Sequence, residues 1–147
     1  LSCTEFNPDA ISILNKMGIK VYPKSIDKLE EKFDFICSFQ VFEHISDIRN
    51  VFRDVSRLLS KNARLIISVP NPCGILKVTG GILELPPHYR TDFTLNSFEY
   101  IAKEFNLSIE HYYTMPLSKE EIRWLKSKNI KSVEAGHSHL VCFKSSN

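Results

Sequence analysis

Glycine is scarce in this sequence and forms no cluster. The chain of 147 residues has five glycines, at positions 18, 74, 80, 81 and 136, and no G-x-G pair occurs. Glycine-rich turns let the backbone approach a bound phosphate or cofactor closely. These residues therefore contain no fingerprint of a nucleotide-dependent dehydrogenase and no glycine-rich cofactor turn of any other kind.

Cysteine pairs at short spacing are also missing. Cys3, Cys37, Cys73 and Cys142 are widely separated, and no CxxC motif is present. This spacing excludes a zinc ribbon and a thioredoxin-type redox motif. Cys37 and Cys142 lie in strand-like apolar runs, so we predict that they are reduced core residues and that the protein is cytoplasmic.

Neither a strong charge nor a long apolar run is found. Nineteen Lys and Arg residues face seventeen Asp and Glu residues, which leaves a formal charge of +2. The absence of a long basic cluster argues against nucleic acid as the main partner and favours a small-molecule substrate. No apolar run reaches the roughly 18 to 20 residues of a membrane span, and the first residues, LSCTEFNPDA, do not resemble a signal peptide. The oligomeric state cannot be read from these features.

The residues that are present suit one α/β domain spanning residues 1–147. Hydrophobic residues make up 43% of the chain, enough for a sizeable core. Strand-like runs alternate with helical periodicity, which is typical of a mostly parallel sheet covered by helices on both faces. The predicted strands are a short run near the start and residues 19–22, 33–39, 64–70, 107–114 and 138–144. We expect residues 33–39 to form a central strand, because both of their faces are apolar.

Candidate helix caps lie between these predicted strands. Asn7 followed by Pro8 predicts one helix start, and Ser46 followed by Asp47 predicts a second. Thr94 is a third candidate cap, and the capping box of Ser118 predicts a helix near 119–128. Residues 74–93 are too long and too rich in proline and glycine for a plain connection, so they are a candidate substrate loop or lid.

Two stretches resemble a known family. Residues 32–72 read KFDFICSFQVFEHISDIRNVFRDVSRLLSKNARLIISVPNP, and residues 3–11 read CTEFNPDAI. Together they are similar to the second, fourth and fifth strands of class I S-adenosylmethionine-dependent methyltransferases. The resemblance implies a Rossmann-like three-layer sandwich and transfer of a methyl group from S-adenosylmethionine, a reaction in which the protein mainly positions the reactants.

The resemblance also implies which residues contact the cofactor. Glu5 matches the acid that accepts hydrogen bonds from the ribose hydroxyls, although a solvated Glu at a helix start is the alternative. Phe6 is expected either to pack on the adenine or to lie in the core. Ser25 and Ile26 take the place of an Asp and an apolar residue that face the adenine in the family.

Two further cofactor contacts are implied directly after the central strand, at Phe39 and Gln40. Gln40, Glu43 and His44 are spaced so that they would share one helical face. In related O-methyltransferases a similar E-x-x-E-H pattern and a distant His bind a divalent metal. Here His88, next to Tyr89 in the candidate substrate loop, resembles that distant ligand.

Three interpretations of this group stay open. Glu43, His44 and His88 would bind Mg²⁺, although Gln40 lacks the charge of the family's first carboxylate. Alternatively, His44 is a general base for a hydroxyl substrate, with Glu43 beside it. In the third interpretation Glu43 and His44 only hydrogen-bond the loop and the cofactor pocket.

The largest departure from the family is the absence of its first strand. The family order of strands is 3-2-1-4-5-7-6, so the absent strand is central, and the glycine-rich turn that follows it is absent too. We expect the chain to be a portion of a longer methyltransferase that acts on an oxygen of a small molecule, sugar or lipid precursor. We also expect this portion to be inactive alone. The alternative is a non-catalytic interaction module on a degenerate methyltransferase scaffold.

Overall fold

The elements of the fold alternate between strand and helix, as predicted. A computed structural model of the chain describes residues 1–75, 90–130, 136 and 138–146. Two single 3-10 turns, Ile26–Lys28 and Phe42–His44, follow the second and third strands. The remaining elements, in chain order, are β1 (Ser2–Thr4), α1 (Pro8–Lys16), β2 (Lys20–Tyr22), β3 (Phe33–Phe39), α2 (Ile48–Leu58), β4 (Leu59–Pro70), α3 (Leu95–Glu104), β5 (Leu107–Thr114), α4 (Lys119–Ser127) and β6 (Ser138–Ser145).

The helix starts follow the predicted caps with one exception. The Asn7 side chain accepts the backbone N–H of Asp9 at 2.9 Å, and Thr94 and Ser118 both form capping boxes. Helix α2, however, is capped by Asp47 and not by Ser46, because the Asp47 carboxylate accepts the backbone N–H of Asn50 at 3.3 Å. The carboxylate also carries a charge that the helix dipole favours at this position.

Strand β4 begins earlier than predicted. We expected a strand over residues 64–70, but the extended segment starts at Leu59, directly after α2. Asn62 adopts the left-handed conformation with φ of +60°. It lies within β4, where the pairing register with β3 shifts between Phe33 and Phe35. The irregularity therefore belongs to the strand and not to the helix end.

The described strands form two sheets. The first pairs β1 with β2 in parallel, and the second has the order β3-β4-β6-β5. Strand β6 runs antiparallel to both of its neighbours, so the larger sheet is mixed. Placed end to end as β2-β1 and β3-β4-β6-β5, the two sheets reproduce the family order with its first strand left out.

The hydrophobic core lies against one face of the four-stranded sheet, which we call the core face. Helices α2 and α3 cover it with Phe52, Val55, Phe98 and Ile101. The sheet contributes fully buried side chains that alternate along β4 and β6 and thus point to one side: Leu65, Ile67, Val69, Val141 and Phe143.

Strand β3 is an edge strand, and our expectation of a central one is wrong for the described residues. Phe35 is 54% exposed and Phe39 57% exposed. Cys37, between them, is also exposed, which corrects its predicted core position, whereas Cys142 is buried as predicted. Strand β3 pairs with β4 on one side, and no described strand pairs with its other side. Phe35, Cys37 and Phe39 share one face of β3, whereas Ile36, on the opposite face, packs against the core.

Two properties of the described residues bear on the setting of the protein. All four cysteines are free thiols. No helix within the described ranges combines the length and the apolar character that crossing a membrane requires.

Candidate functional site

Candidate site residues follow the carboxyl ends of three strands. Glu5 follows β1, Ser25 follows β2, and Gln40 follows β3. Strands β1 and β2 are parallel, as are β3 and β4, so within each sheet these positions lie at the same edge. Ligands of α/β proteins bind at this edge.

The carboxylate of Glu5 is held in place at the tip of its strand. One oxygen accepts the backbone N–H of Phe6 at 2.6 Å and that of Asn7 at 2.8 Å. These two hydrogen bonds lower the pKa of Glu5, so the side chain stays ionised at neutral pH. Phe6 is 65% exposed, which excludes the core position that was one of its two predicted roles.

Ser25 and Ile26 begin a compact turn that continues to Leu29. Ser25 is exposed, and its hydroxyl bonds to the Asp27 carboxylate, which lowers the pKa of Asp27. Ile26 is half-buried and packs against the core cluster. Both residues, with Ile45 and Val51, line an open cleft of about 620 Å³.

Gln40 does not share a helical face with Glu43 and His44. Its backbone is left-handed, with φ of +54°, and the turn begins only at Phe42. Its backbone N–H donates to the Ser68 carbonyl at 2.9 Å, and its side-chain amide donates to the Ser68 hydroxyl at 3.1 Å. Gln40 is therefore fixed against β4, and the predicted three-residue helical face is wrong.

Glu43 and His44 differ sharply in exposure although they are neighbours. Glu43 is 1% exposed, and both of its carboxylate oxygens are without a hydrogen-bond partner among the described residues. Burial raises the pKa of Glu43, because the charged form loses its hydration. The His44 side chain is 48% exposed, and its Nε2 lies 3.7 Å from Oε1 of Glu43. This pair places a reachable imidazole beside a buried carboxyl group.

The backbone of this turn is tied to the segment that ends the candidate loop. The N–H of Arg90 donates to the carbonyl of Glu43 at 2.8 Å. Residues 76–89, which include His88 and Tyr89, lie outside the described residues, so their predicted substrate and metal roles stay predictions.

The Mg²⁺ site implied by the resemblance finds no support in the described ranges. No group of three His, Cys, Asp or Glu side chains there is arranged to hold a metal ion. Mg²⁺ prefers a near-octahedral set of oxygen ligands. The side-chain amide nitrogen of Gln40, the other residue of the pattern, donates to the Ser68 hydroxyl.

Asn71, directly after β4, was missed by the sequence analysis. It is 1% exposed, its side-chain oxygen accepts the N–H of Cys73 at 3.0 Å, and its amide donates to the Gly136 carbonyl at 3.3 Å. A Cβ on Gly74 would lie 2.2 Å from that same carbonyl, so glycine is required there. The signal in the sequence was the PNPCG stretch, residues 70–74, at the end of the predicted strand 64–70.

Strand order and site position together define the class of the protein. The fold is the α/β Rossmann-like fold of class I S-adenosylmethionine-dependent methyltransferases. Residues 3–129 match the family model described as "Methyltransferase domain". The chain belongs to this methyltransferase family, as the resemblance predicted. No curated protein matches the sequence significantly.

Solved structures of methyltransferases are similar to the chain along almost its whole length. An S-adenosylmethionine-dependent methyltransferase from Mesorhizobium loti has a TM-score of 0.67 at 15% identity, with 97% of this chain and 79% of that chain covered. One from Clostridium acetobutylicum has a TM-score of 0.69 at 13% identity, with 99% and 75% covered. One from Archaeoglobus fulgidus has a TM-score of 0.63 at 15% identity, with 98% and 75% covered. At these identities the likeness supports the fold.

Proposed function

We propose that the chain is part of a cytoplasmic enzyme that transfers the methyl group of S-adenosylmethionine to a hydroxyl oxygen of a small molecule, sugar or lipid precursor. The observation that carries the oxygen preference is the half-exposed imidazole of His44 beside the buried carboxyl group of Glu43. Free thiols at all four cysteines support the location. The near-neutral charge supports a small-molecule acceptor and not nucleic acid.

The residues at the strand ends fit the cofactor in type and placement. The ionised carboxylate of Glu5 would accept hydrogen bonds from the ribose hydroxyls, and the exposed ring of Phe6 would cover the adenine. Ser25 and Ile26 would lie along the adenine, and Phe39 and Gln40 would also line the cofactor. When bound, S-adenosylmethionine supplies a methyl group already activated as part of a sulfonium.

His44 would act as the general base. A hydroxyl group becomes a good nucleophile when its proton is removed as the new bond to carbon forms, and a neutral imidazole can take that proton. Glu43 would then stabilise the protonated imidazole, because its buried carboxylate would lie 3.7 Å from Nε2 of His44. Burial raises the pKa of Glu43, and the charge of a protonated His44 acts in the opposite direction and favours the carboxylate.

The principal alternative is a non-catalytic interaction module on this scaffold. The absence of a G-x-G turn within these residues favours it, because half of the usual cofactor contacts would then be lacking. Cofactor binding and turnover separate the two hypotheses.

The test uses the full-length protein with S-adenosylmethionine labelled in its methyl group and a panel of hydroxyl-bearing acceptors. We expect His44→Ala to abolish turnover, a loss of about 100-fold or more, while calorimetry shows cofactor affinity nearly unchanged. His111→Ala is the matched control, because His111 is an exposed histidine on β5 away from the strand ends. Full activity of His44→Ala would remove His44 from the mechanism.

The isolated chain provides a second arm of the same experiment. We expect residues 1–147 alone to bind S-adenosylmethionine weakly or not at all. Micromolar binding by these residues alone would contradict this expectation. No binding and no turnover by the full-length protein would favour the interaction module.

A further inference from the structure

Arg57 gathers three backbone carbonyl groups of the turn that follows β2. Its guanidinium donates to the carbonyl oxygens of Leu29 at 2.6 Å, Asp27 at 3.1 Å and Ile26 at 3.2 Å. The side chain projects from the last turn of α2, whereas its acceptors lie almost thirty residues earlier in the chain. Arg57 thus joins the helix after β3 to the turn after β2.

The planar guanidinium is suited to this task. It carries five N–H donors in a rigid fork and stays charged at all relevant pH values, and its hydrogen bonds are charge-assisted. The carboxylate of Asp54, one helical turn earlier, lies 3.6 Å from the guanidinium and helps to orient it. Lys32 donates to the backbone carbonyl of Arg57 at 2.6 Å, so the backbone at this end of α2 is also bonded.

The other hydrogen bonds of the turn are local: the N–H of Lys28 donates to the Ser25 carbonyl at 3.1 Å, and the N–H of Leu29 donates to the Ile26 carbonyl at 3.1 Å. The turn is a single 3-10 turn, Ile26–Lys28, and such short turns have little stability of their own. Leu29 is buried and fixes one end of the turn in the core, while Ser25 at the other end is exposed. Arg57 bonds three carbonyl groups of this turn and so links it to the end of α2.

We propose that Arg57 is a positioning residue for cofactor binding: by holding the carbonyl groups of Ile26, Asp27 and Leu29, it keeps the turn that begins at Ser25 in the shape that receives the adenosine portion of S-adenosylmethionine. This inference rests on the proposed function, which assigns Ser25 and Ile26 to the adenine. Arg57 itself has its donors on the carbonyl groups and needs no contact with the cofactor.

The test compares three variants of the full-length protein. Arg57→Ala removes all three hydrogen bonds, and Arg57→Lys keeps the charge but has a single ammonium group that cannot reproduce the fork. Arg49→Ala is the matched control: Arg49 is on the same helix and bonds the Tyr100 hydroxyl at 2.9 Å and the Glu104 carboxylate at 2.9 Å, on α3 and away from the turn.

Two readouts are needed. Calorimetry measures the Kd of S-adenosylhomocysteine, the product form of the cofactor, and amide hydrogen exchange measures the opening of residues 26–29. We expect Arg57→Ala to weaken binding about tenfold, with faster exchange confined to this turn, and Arg57→Lys to recover part of the loss. Arg49→Ala should lower thermal stability and leave the Kd unchanged. With an identified acceptor, Arg57→Ala should raise the KM for S-adenosylmethionine more than it lowers kcat.

The outcomes separate this inference from the proposed function. If the unchanged protein binds no S-adenosylhomocysteine, the proposed function fails. If the unchanged protein binds it and Arg57→Ala binds equally well, Arg57 is not a positioning residue. An equal loss of affinity in Arg49→Ala would also overturn the inference, because the effect would then follow general destabilisation.

Discussion

Residues 1–41 and residues 42–146 differ in how they bury their apolar side chains. The first region, which the structure describes completely, contains one buried residue, Leu29. The second region holds almost the whole core cluster, which packs between the core face of the sheet and helices α2 and α3. Both regions have well-formed helices and strands, so regular secondary structure and burial do not go together in this chain.

The exposed apolar residues show what the first region lacks. Ile13 on α1, Met17 at the C-terminal cap of α1, and Phe35 and Phe39 on β3 are apolar, but they are exposed. Isolated two-stranded sheets such as β1-β2 are marginally stable. The apolar side chains of the first region therefore need a further surface to cover them. The second region covers its apolar side chains itself, because α2 and α3 pack on the core face of the sheet.

The largest expected effect of a substitution therefore lies in the second region. Phe52 is buried on α2, and its ring lies 5.1 Å from that of Phe42 and 5.9 Å from that of Phe105. We expect Phe52→Ala to lower the free energy of unfolding by about 3 to 5 kcal/mol, because it leaves a cavity. Phe6→Ala is the control in the first region, with an expected change below about 0.5 kcal/mol. Denaturant titration measures both, and similar losses would contradict the comparison.

Glu43 lies at the start of the second region, and its pKa gives a prediction about how stability depends on pH. Because burial raises this pKa in the folded state, the stabilisation linked to the protonated carboxyl group is complete below the ordinary Glu pKa of 4.5. It is lost as the pH rises through the raised value. The Glu43→Gln variant has no ionisable group at this position. Between pH 4 and pH 8 its free energy of unfolding should therefore fall by about 1 kcal/mol less than that of the unchanged protein. If stability depends on pH in the same way in both proteins, ionisation of Glu43 does not lower the free energy of unfolding and the prediction is wrong.

The smallest expected effect is a difference in thiol reactivity between two cysteines, one in each region. Cys37 on β3 is exposed, whereas Cys142 on β6 is buried and burial raises its pKa. We expect a thiol reagent to modify Cys37 in the native protein at least about tenfold faster than Cys142. Cys37→Ser identifies the fast phase and should change stability little. Equal rates would show that the β3 edge is covered in solution.

Local structure was largely predictable from the sequence, whereas placement in the sheet was not. Asn7, Thr94 and Ser118 were predicted as caps correctly because capping depends on residues only two or three positions away. The position of β3 was predicted wrongly because an apolar run reports what a strand could bury and not whether a neighbour is present. The same limit explains the exposed Cys37.

In the candidate site, the properties of single residues were predictable, whereas the path of the backbone between them was not. Glu5 has the fixed carboxylate that its place after β1 suggested. The helical spacing of Gln40, Glu43 and His44 misled us, because the left-handed backbone at Gln40 breaks the turn before it can form. Arg57 gave no signal, since its contacts with Ile26, Asp27 and Leu29 join distant parts of the sequence.

The position of β6 has a consequence for the order of folding. It is the last strand described, yet it lies between β4 and β5 and pairs with both. Its partner β4 is separated from it by two helices and a strand, and pairings between distant segments form slowly because a large loop must close first. During synthesis, β4 emerges from the ribosome long before the strand that completes its sheet. The nascent chain therefore carries an unfinished core until residue 145 has been added, and chaperones would meet it in that state.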